Sequence, residues 1–278
     1  MSRGPYLPRL IGTRYVVPLR EGGSLPAVVE TDGDGTYVVK FRGAGQGPKA
    51  LVAEALFAAI AQVLRLPIPR AAIVDVAEGF GRAEPDPEIQ DILRGSVGTN
   101  FGMGYLRGAL AFDPAVDGPS LEADLAADIV WLDAYLTNVD RTPRNTNLLM
   151  SDGRVWLIDH GAALYVHHRW SGWRERIHGA FPQIAQHVLL PFATDIEAAD
   201  ARLRPRLAIE TLQHVVAAVP DDWLDPDPDV GDTTALREAY VTYLQQRLDG
   251  PRVWLAEAEA ARRRGPETLR LRETHRVV

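Results

Sequence analysis

The residues best suited to chemistry are Asp140, Asn145 five positions on, and Asp159. The first two lie in the polar run Asn138-Val139-Asp140-Arg141-Thr142-Pro143-Arg144-Asn145, directly after a long apolar stretch. Asp159 closes Val155-Trp156-Leu157-Ile158, and a shorter apolar run, Leu148-Leu149-Met150, precedes Ser151-Asp152-Gly153. Two apolar runs about an Asp-Gly pair predict a β-hairpin. Asn145 and Asp159 are each seven positions from Asp152, so a regular hairpin makes them neighbours at its open end, with Asp140 facing the same space. One amide and two carboxylates gathered there supply hard oxygen ligands with open positions, which suits Mg2+ bridging phosphates. The carboxylate not used on the metal can orient an attacking hydroxyl or accept its proton. Taken singly, such residues also cap turns. Their joint spacing is what points to a reaction.

Lys40 and Glu54 supply a second half. Lys40 closes the strand-like Tyr37-Val38-Val39-Lys40-Phe41, and Glu54 is the only acidic residue of the helix that follows. Ala50, Leu51, Phe57 and Ala58 are its helical neighbours, and a carboxylate on that apolar flank is costly unless paired. Lys40 is its natural partner, and a lysine held in this way can contact ATP phosphates. Gly22-Gly23-Ser24 is weaker: its backbone can approach phosphate oxygens, but a plain hairpin turn uses the same residues. There is no GxxxxGK[ST] loop, so a P-loop enzyme is not expected, and no HExxH pair among the seven histidines. His160 is expected to orient Asp159 or close the hairpin. Trp131, Trp156, Trp170 and Trp173 read as packing residues, and Asp124, Asp128 and Asp133 as belonging to their helix.

These groups need elements to hold them. Residues 14–17 and 26–30 flank Gly22-Gly23-Ser24, and Asp32-Gly33-Asp34-Gly35 turns the chain into residues 37–41, so the first part is β-rich. A helix is predicted over 49–66, with Val52, Leu56, Ile60 and Val63 on one face and Pro67 ending it. Further strands are expected over 71–76 and 101–106, with an exposed loop over 79–91. Ser120 reads as the cap of a helix through Leu136. Helices over 203–219 and 234–248, separated by an acidic loop, complete a mostly helical remainder. The fold class is α+β, with a β-rich lobe over 1–110 and a mostly helical lobe over 111–278.

Of 278 residues, 46% are hydrophobic and 24% charged, enough to build a sizeable core. With no cysteine, disulfides, thiolate zinc sites and cysteine nucleophiles are excluded. The net charge of −7 argues against a protein that grips nucleic acid through its phosphates. The N-terminal residues lack the apolar run of a signal peptide, and no stretch reaches the roughly 20 apolar residues of a membrane span. A cytoplasmic protein is expected.

In Asn138-Val139-Asp140-Arg141 with Asn145, in Leu157-Ile158-Asp159-His160-Gly161, and in Tyr37-Val38-Val39-Lys40-Phe41 with Glu54, the chain resembles the HipA-like kinases and, more distantly, the phosphatidylinositol kinases. The resemblance spans roughly residues 15 to 165. It implies a two-lobed kinase-like fold, in which Lys40 binds the α/β-phosphates and pairs with Glu54. Asp140 would be the catalytic base, and Asn145 and Asp159 would hold Mg2+. Gly22, Gly23 and Ser24 would cover the phosphates, and Tyr105, Leu106 and Arg107, up to Gly108, would form a hinge that receives adenine. Thr142 stands where many relatives have histidine, and His160-Gly161 replaces the Phe-Gly of ordinary protein kinases; neither removes a metal ligand. The chain is too short for the extra N-terminal subdomain of the larger HipA toxins, so a toxin role is not inherited. The expected reaction moves the ATP γ-phosphate to a hydroxyl, by resemblance that of a protein serine or threonine, with a small-molecule alcohol as the other acceptor. The rivals are a nucleotide-binding regulatory module without turnover, and a metal-dependent phosphohydrolase that would leave Lys40 and Glu54 without a role.

Overall fold

The structure, a computed structural model, describes residues 7–19, 25–33 and 35–265. Its architecture is α+β. Strands β1 (Arg9–Pro18), β2 (Ala27–Thr31) and β3 (Thr36–Lys40) come first, followed by helix α1 (Gly47–Leu64) and strand β4 (Ala71–Val76). Helix α2 (Pro87–Arg94) and strand β5 (Gly98–Gly104) complete this part. The strands form a closed barrel in the order β1-β2-β3-β5-β4, sealed by parallel pairing of β1 with β4. Alternation along β3 buries Tyr37 and Val39 inside the barrel with Val29 and Val74. Lys40, the last residue of β3, stands opposite Phe101 of β5.

Pro48 lies in the first turn of α1, where its missing N–H costs nothing, and Arg65 ends the helix in the left-handed conformation with φ 62°. The expectation of one apolar face understates this helix. It is buried on nearly every side, Glu54 included, because it runs between barrel and helices. It is long and apolar enough to cross a membrane, but most of its residues are buried inside the protein. The expected loop over 79–91 instead leads into α2. Asp86 Oδ1 accepts the N–H of Glu88 at 3.0 Å, Pro87 fills the first turn, and Ile89 and Leu93 are buried. β5 ends at Gly104, so Tyr105 and Leu106 fall outside the strand expected to include them.

A second sheet has the order β6-β7-β8, from Leu110–Ala111, Leu148–Ser151 and Arg154–Leu157. Before its hairpin runs α3 (Ala123–Tyr135). Ser120 does not cap it but lies in a separate short turn, Gly118–Ser120. Helices α4 (Trp173–Arg176), α5 (Ile196–Leu203), α6 (Ile209–Ala217), α7 (Thr233–Asp249) and α8 (Val253–Arg264) follow. The single helix expected over 203–219 is broken because Leu203 ends α5 and Pro205 lies in a tight turn before α6. The helical core packs Trp131 and Tyr135 of α3 against Trp254 of α8, with ring centroids 5.3–5.8 Å apart. Barrel and helices are also tied by hydrogen bonds. Trp223 Nε1 donates to Thr99 O (3.2 Å), Arg206 to Leu64 O (2.9 Å), and Leu157 N to Pro67 O (2.8 Å).

Candidate active site

Asp152 and Gly153, with φ of 52° and 70°, form the two-residue turn of the β7–β8 hairpin. Its register pairs Ser151 with Arg154 and Leu148 with Leu157, and Ile158 N continues it by donating to Asn147 O at 3.1 Å. The centre of the turn therefore lies between Asp152 and Gly153, not on Asp152. Continued one step, the ladder puts Thr146 rather than Asn145 opposite Asp159, a slip that exchanges faces. The expected Asn145–Asp159 adjacency by hairpin symmetry is not how these residues are placed. Instead, residues 142–145 turn back on themselves, with Thr142 and Asn145 exchanging backbone hydrogen bonds at 2.9 and 3.1 Å.

That turn brings Asn145 Nδ2 to 2.8 Å from Asp140 Oδ2. Asn147, at φ 48°, donates to the same oxygen at 3.3 Å. Asp140 is thus held at Oδ2 by two amides, with Oδ1 uncommitted among the described residues. Asp159 leaves the strand at φ 53°, a conformation Asp tolerates better than most residues and one that clusters at functional sites. Its Oδ1 accepts from Lys40 Nζ at 2.6 Å, while Lys40 also bonds Glu54 Oε1. Glu54 Oε1 further accepts the His160 N–H at 2.9 Å, so α1 grips the backbone next to Asp159. Strand β3, helix α1 and the hairpin end therefore meet at one ammonium.

The two clusters are joined by Arg141, which is fully buried. Its guanidinium donates to Asp133 Oδ2 at 2.6 Å and to the carbonyls of Asn147 and Ile158, and it lies 3.1 Å from His160 Nδ1. One side chain thus fixes the backbone next to Asp140 and the backbone next to Asp159. Asp133 also binds His187 Nε2 (2.8 Å) and Asn138 Nδ2 (2.7 Å). The assignment of Asp133 to its helix alone is therefore incomplete: from α3 it anchors the loop that carries Asp140. An acid inside the apolar run Trp131-Leu132-Asp133-Ala134-Tyr135 was the available signal. His187, so far along the chain, offered none.

Electrostatics follow the geometry. Burial would lower the Lys40 ammonium, but Glu54 and Asp159 outweigh it and raise it above its ordinary value. Burial raises the Glu54 carboxyl; Lys40 opposes this, and the Asp159 charge adds to it. One cation faces two carboxylates, so the site is short of positive charge. Burial would raise Asp133, but Arg141 and His187 hold it far below the usual carboxylate range.

Burial pushes His160, His167 and His187 below the ordinary histidine value, with the Arg141 charge adding to the effect at His160 and His187. A depressed folded pKa means that the unfolded chain takes up these protons first. Stability from these groups is therefore complete above about pH 6.5 and lost as pH falls below it. Each such histidine costs at most about 1.4 kcal/mol per pH unit below that point. Glu54, with its raised carboxyl, works in the opposite sense and reduces the slope. The melting temperature is expected to be flat from pH 8 to 7 and to fall between pH 6.5 and 5.5. A constant or rising value in thermal unfolding across that lower interval would contradict the burial of neutral histidines.

Gly22, Gly23 and Ser24 lie outside the described residues. Tyr105, Leu106 and Arg107 form the connection from β5 towards β6, with Tyr105 N donating to Thr36 O at 2.9 Å. His160 is buried and stacks on Phe57 of α1, centroids 3.8 Å apart, besides contacting Arg141. Trp131, Trp170 and Trp173 are core residues, whereas Trp156 is half-buried. Among the described residues no trio of histidine or carboxylate side chains could hold a metal unaided. The available donors, Asn145 Oδ1 and Asp159 Oδ2, are hard oxygens. They fit Mg2+, which keeps several non-protein ligands and takes few from the protein.

A family model described as HipA-like kinase matches residues 14–256. The chain belongs to the HipA-like kinase family. A solved Helicobacter pylori structure, the proinflammatory kinase CtkA, has a similar fold. It superposes with a TM-score of 0.55 at 13% identity, covering 93% of this chain and 99% of that one. No curated protein matches the sequence. The α+β architecture is thus kinase-like, and this HipA-like kinase is a phosphotransferase.

Proposed function

We propose that this HipA-like kinase uses ATP and Mg2+ to phosphorylate a hydroxyl, that of a protein serine or threonine. In this reading residues 1–110 and 111–278 act as two lobes with the nucleotide between them, and Tyr105, Leu106 and Arg107 receive the adenine. A chain without cysteine fits a reducing cytoplasm. The observation that carries the reading is the Lys40 ammonium, held between Glu54 of α1 and Asp159 at the hairpin end. Glu54 fixes the lysine, which would bind the α/β-phosphates of ATP. The shortage of positive charge at two carboxylates is met when a cation arrives with the nucleotide.

Asn145 Oδ1 and Asp159 would hold Mg2+, which when bound neutralises charge on the phosphates. Asp140 Oδ1 receives the proton of the acceptor hydroxyl as its oxygen bonds to the γ-phosphorus and ADP leaves. Asn145 and Asn147 keep the other oxygen of Asp140 turned inward. Arg141 sets the spacing between this base and Asp159. The work is positioning and charge neutralisation, with no covalent enzyme intermediate.

Thermal unfolding tests the lysine. At a hundredfold excess over its dissociation constant, ATP with Mg2+ is expected to stabilise the wild type by about 2.7 kcal/mol, a shift of several degrees. Lys40→Met strands the buried Glu54 and lowers the baseline melting temperature. What decides is the nucleotide increment, expected to vanish in this variant. An undiminished increment would remove Lys40 from the phosphate site.

A further inference from the structure

The segment that follows Asp159 is rich in exposed cations, although the chain carries a net charge of −7. Between Tyr165 and Arg176 stand Arg169, Arg174 and Arg176 against one acid, Glu175. This segment follows Asp159 and is fastened beside the loop leading to Asp140. Leu164 N donates to Leu136 O at 2.6 Å, and Tyr165 N to Thr137 Oγ1 at 3.2 Å. Its far side is anchored by buried Trp170 and Trp173, whose rings meet edge to face, and by His167 bonded to Tyr240 (3.0 Å).

Arg176 braces the segment internally, donating to the carbonyls of Arg169, Ser171 and Gly172. Arg174 lies over the Trp173 ring at 4.5 Å, so its guanidinium is held in place while exposed. Arg169 is exposed, as is Arg144, the neighbour of Asn145 in the turn that positions Asp140. Arg144, Arg169, Arg174 and Lys49 form no ion pair among the described residues. The Lys49 charge reaches His168, reinforcing the effect of its partial burial, so α1 brings another cation to the same rim. Some exposed arginines elsewhere, Arg9, Arg14 and Arg202, are matched by Asp75, Glu30 and Asp128, whereas others, Arg65 and Arg107 among them, also form no ion pair among the described residues. A fixed group of unmatched cations attracts and orients an anionic partner.

We propose that the acceptor is a serine or threonine in an acidic peptide segment, whose Asp and Glu side chains dock on Arg144, Arg169 and Arg174. This rests on the kinase reading above and names its substrate class. The test compares three peptides with one central Ser, flanked by Asp/Glu, by Ala, or by Lys/Arg, with radiolabelled ATP and Mg2+. Exposed charge pairs are individually weak, so kcat/KM for the acidic peptide is expected to exceed that for the basic one by about tenfold. In Arg169→Glu/Arg174→Glu the order should reverse, through KM for peptide rather than kcat, while the ATP–Mg2+ shift in melting temperature persists. Equal use of the three peptides, or preference for the basic one, would overturn the proposal and leave the kinase reading standing, whereas transfer to none of them while that shift persists would overturn the proposal together with the phosphoryl-transfer step. Loss of the shift in the wild type would instead defeat the kinase reading.

Discussion

Asp140→Asn should lower the rate of phosphoryl transfer by about a thousandfold while leaving nucleotide binding intact, because proton acceptance by a placed side chain contributes roughly 10²–10⁴ in rate. The substitution keeps the volume of the side chain but replaces a carboxylate, which can accept a proton, by a neutral amide, which cannot. Neighbouring Arg141 stays in its buried pairing with Asp133, so the fold should hold. The ATP–Mg2+ stabilisation should match the wild type, since Lys40, Asn145 and Asp159 are untouched. The loss belongs in kcat rather than in KM for ATP. If wild type and variant both bind nucleotide but neither consumes it with candidate acceptors, the chain is a nucleotide-binding module and Asp140 is no base.

Asp133→Ala is the largest expected stability effect, a loss of about 3–5 kcal/mol, because it leaves the buried Arg141 guanidinium and His187 without their carboxylate. For a chain of this size that corresponds to a fall of roughly ten degrees in melting temperature. The double change Asp133→Leu/Arg141→Met is the informative companion. Replacing a buried ion pair by apolar groups of similar volume often recovers stability, here in part, because His187 and Asn138 still lose their acceptor. It would not restore activity, since the carbonyls of Asn147 and Ile158 lose the donor that spaces Asp140 from Asp159. Recovered stability with transfer still depressed supports the positioning role; recovery of both would make Arg141 merely structural.

The sequence revealed most where local rules dominate. Asp152-Gly153 announced the hairpin, β-branched residues marked β3 and β4, and a lone acid in an apolar helix announced the Lys40–Glu54 pair. It misled where one residue decides register or direction. Placing the turn centre on Asp152 shifted the partner of Asp159 by one, and Pro205 divided a helix that its flanking apolar residues seemed to continue. Asp86-Pro87 carries a capping signal for α2 inside a stretch whose polar character suggests a loop. Contacts set by tertiary packing left no local trace: β6 against β7, His187 on Asp133, and Arg141 between the carbonyls of Asn147 and Ile158. The grouping of Lys40 with Glu54, and of Asp140 with Asn145, was therefore readable, but the contacts that space the two groups were not.

A crystal structure with a non-hydrolysable ATP analogue and Mn2+ in place of Mg2+ tests the central claim most directly, because the anomalous signal locates the cation without ambiguity. The expected peak lies against the analogue's phosphates, bonded to Asn145 Oδ1 and an Asp159 oxygen, with Lys40 still joined to Glu54. A peak away from those two side chains, or phosphates bound beyond the reach of Lys40, would contradict the account.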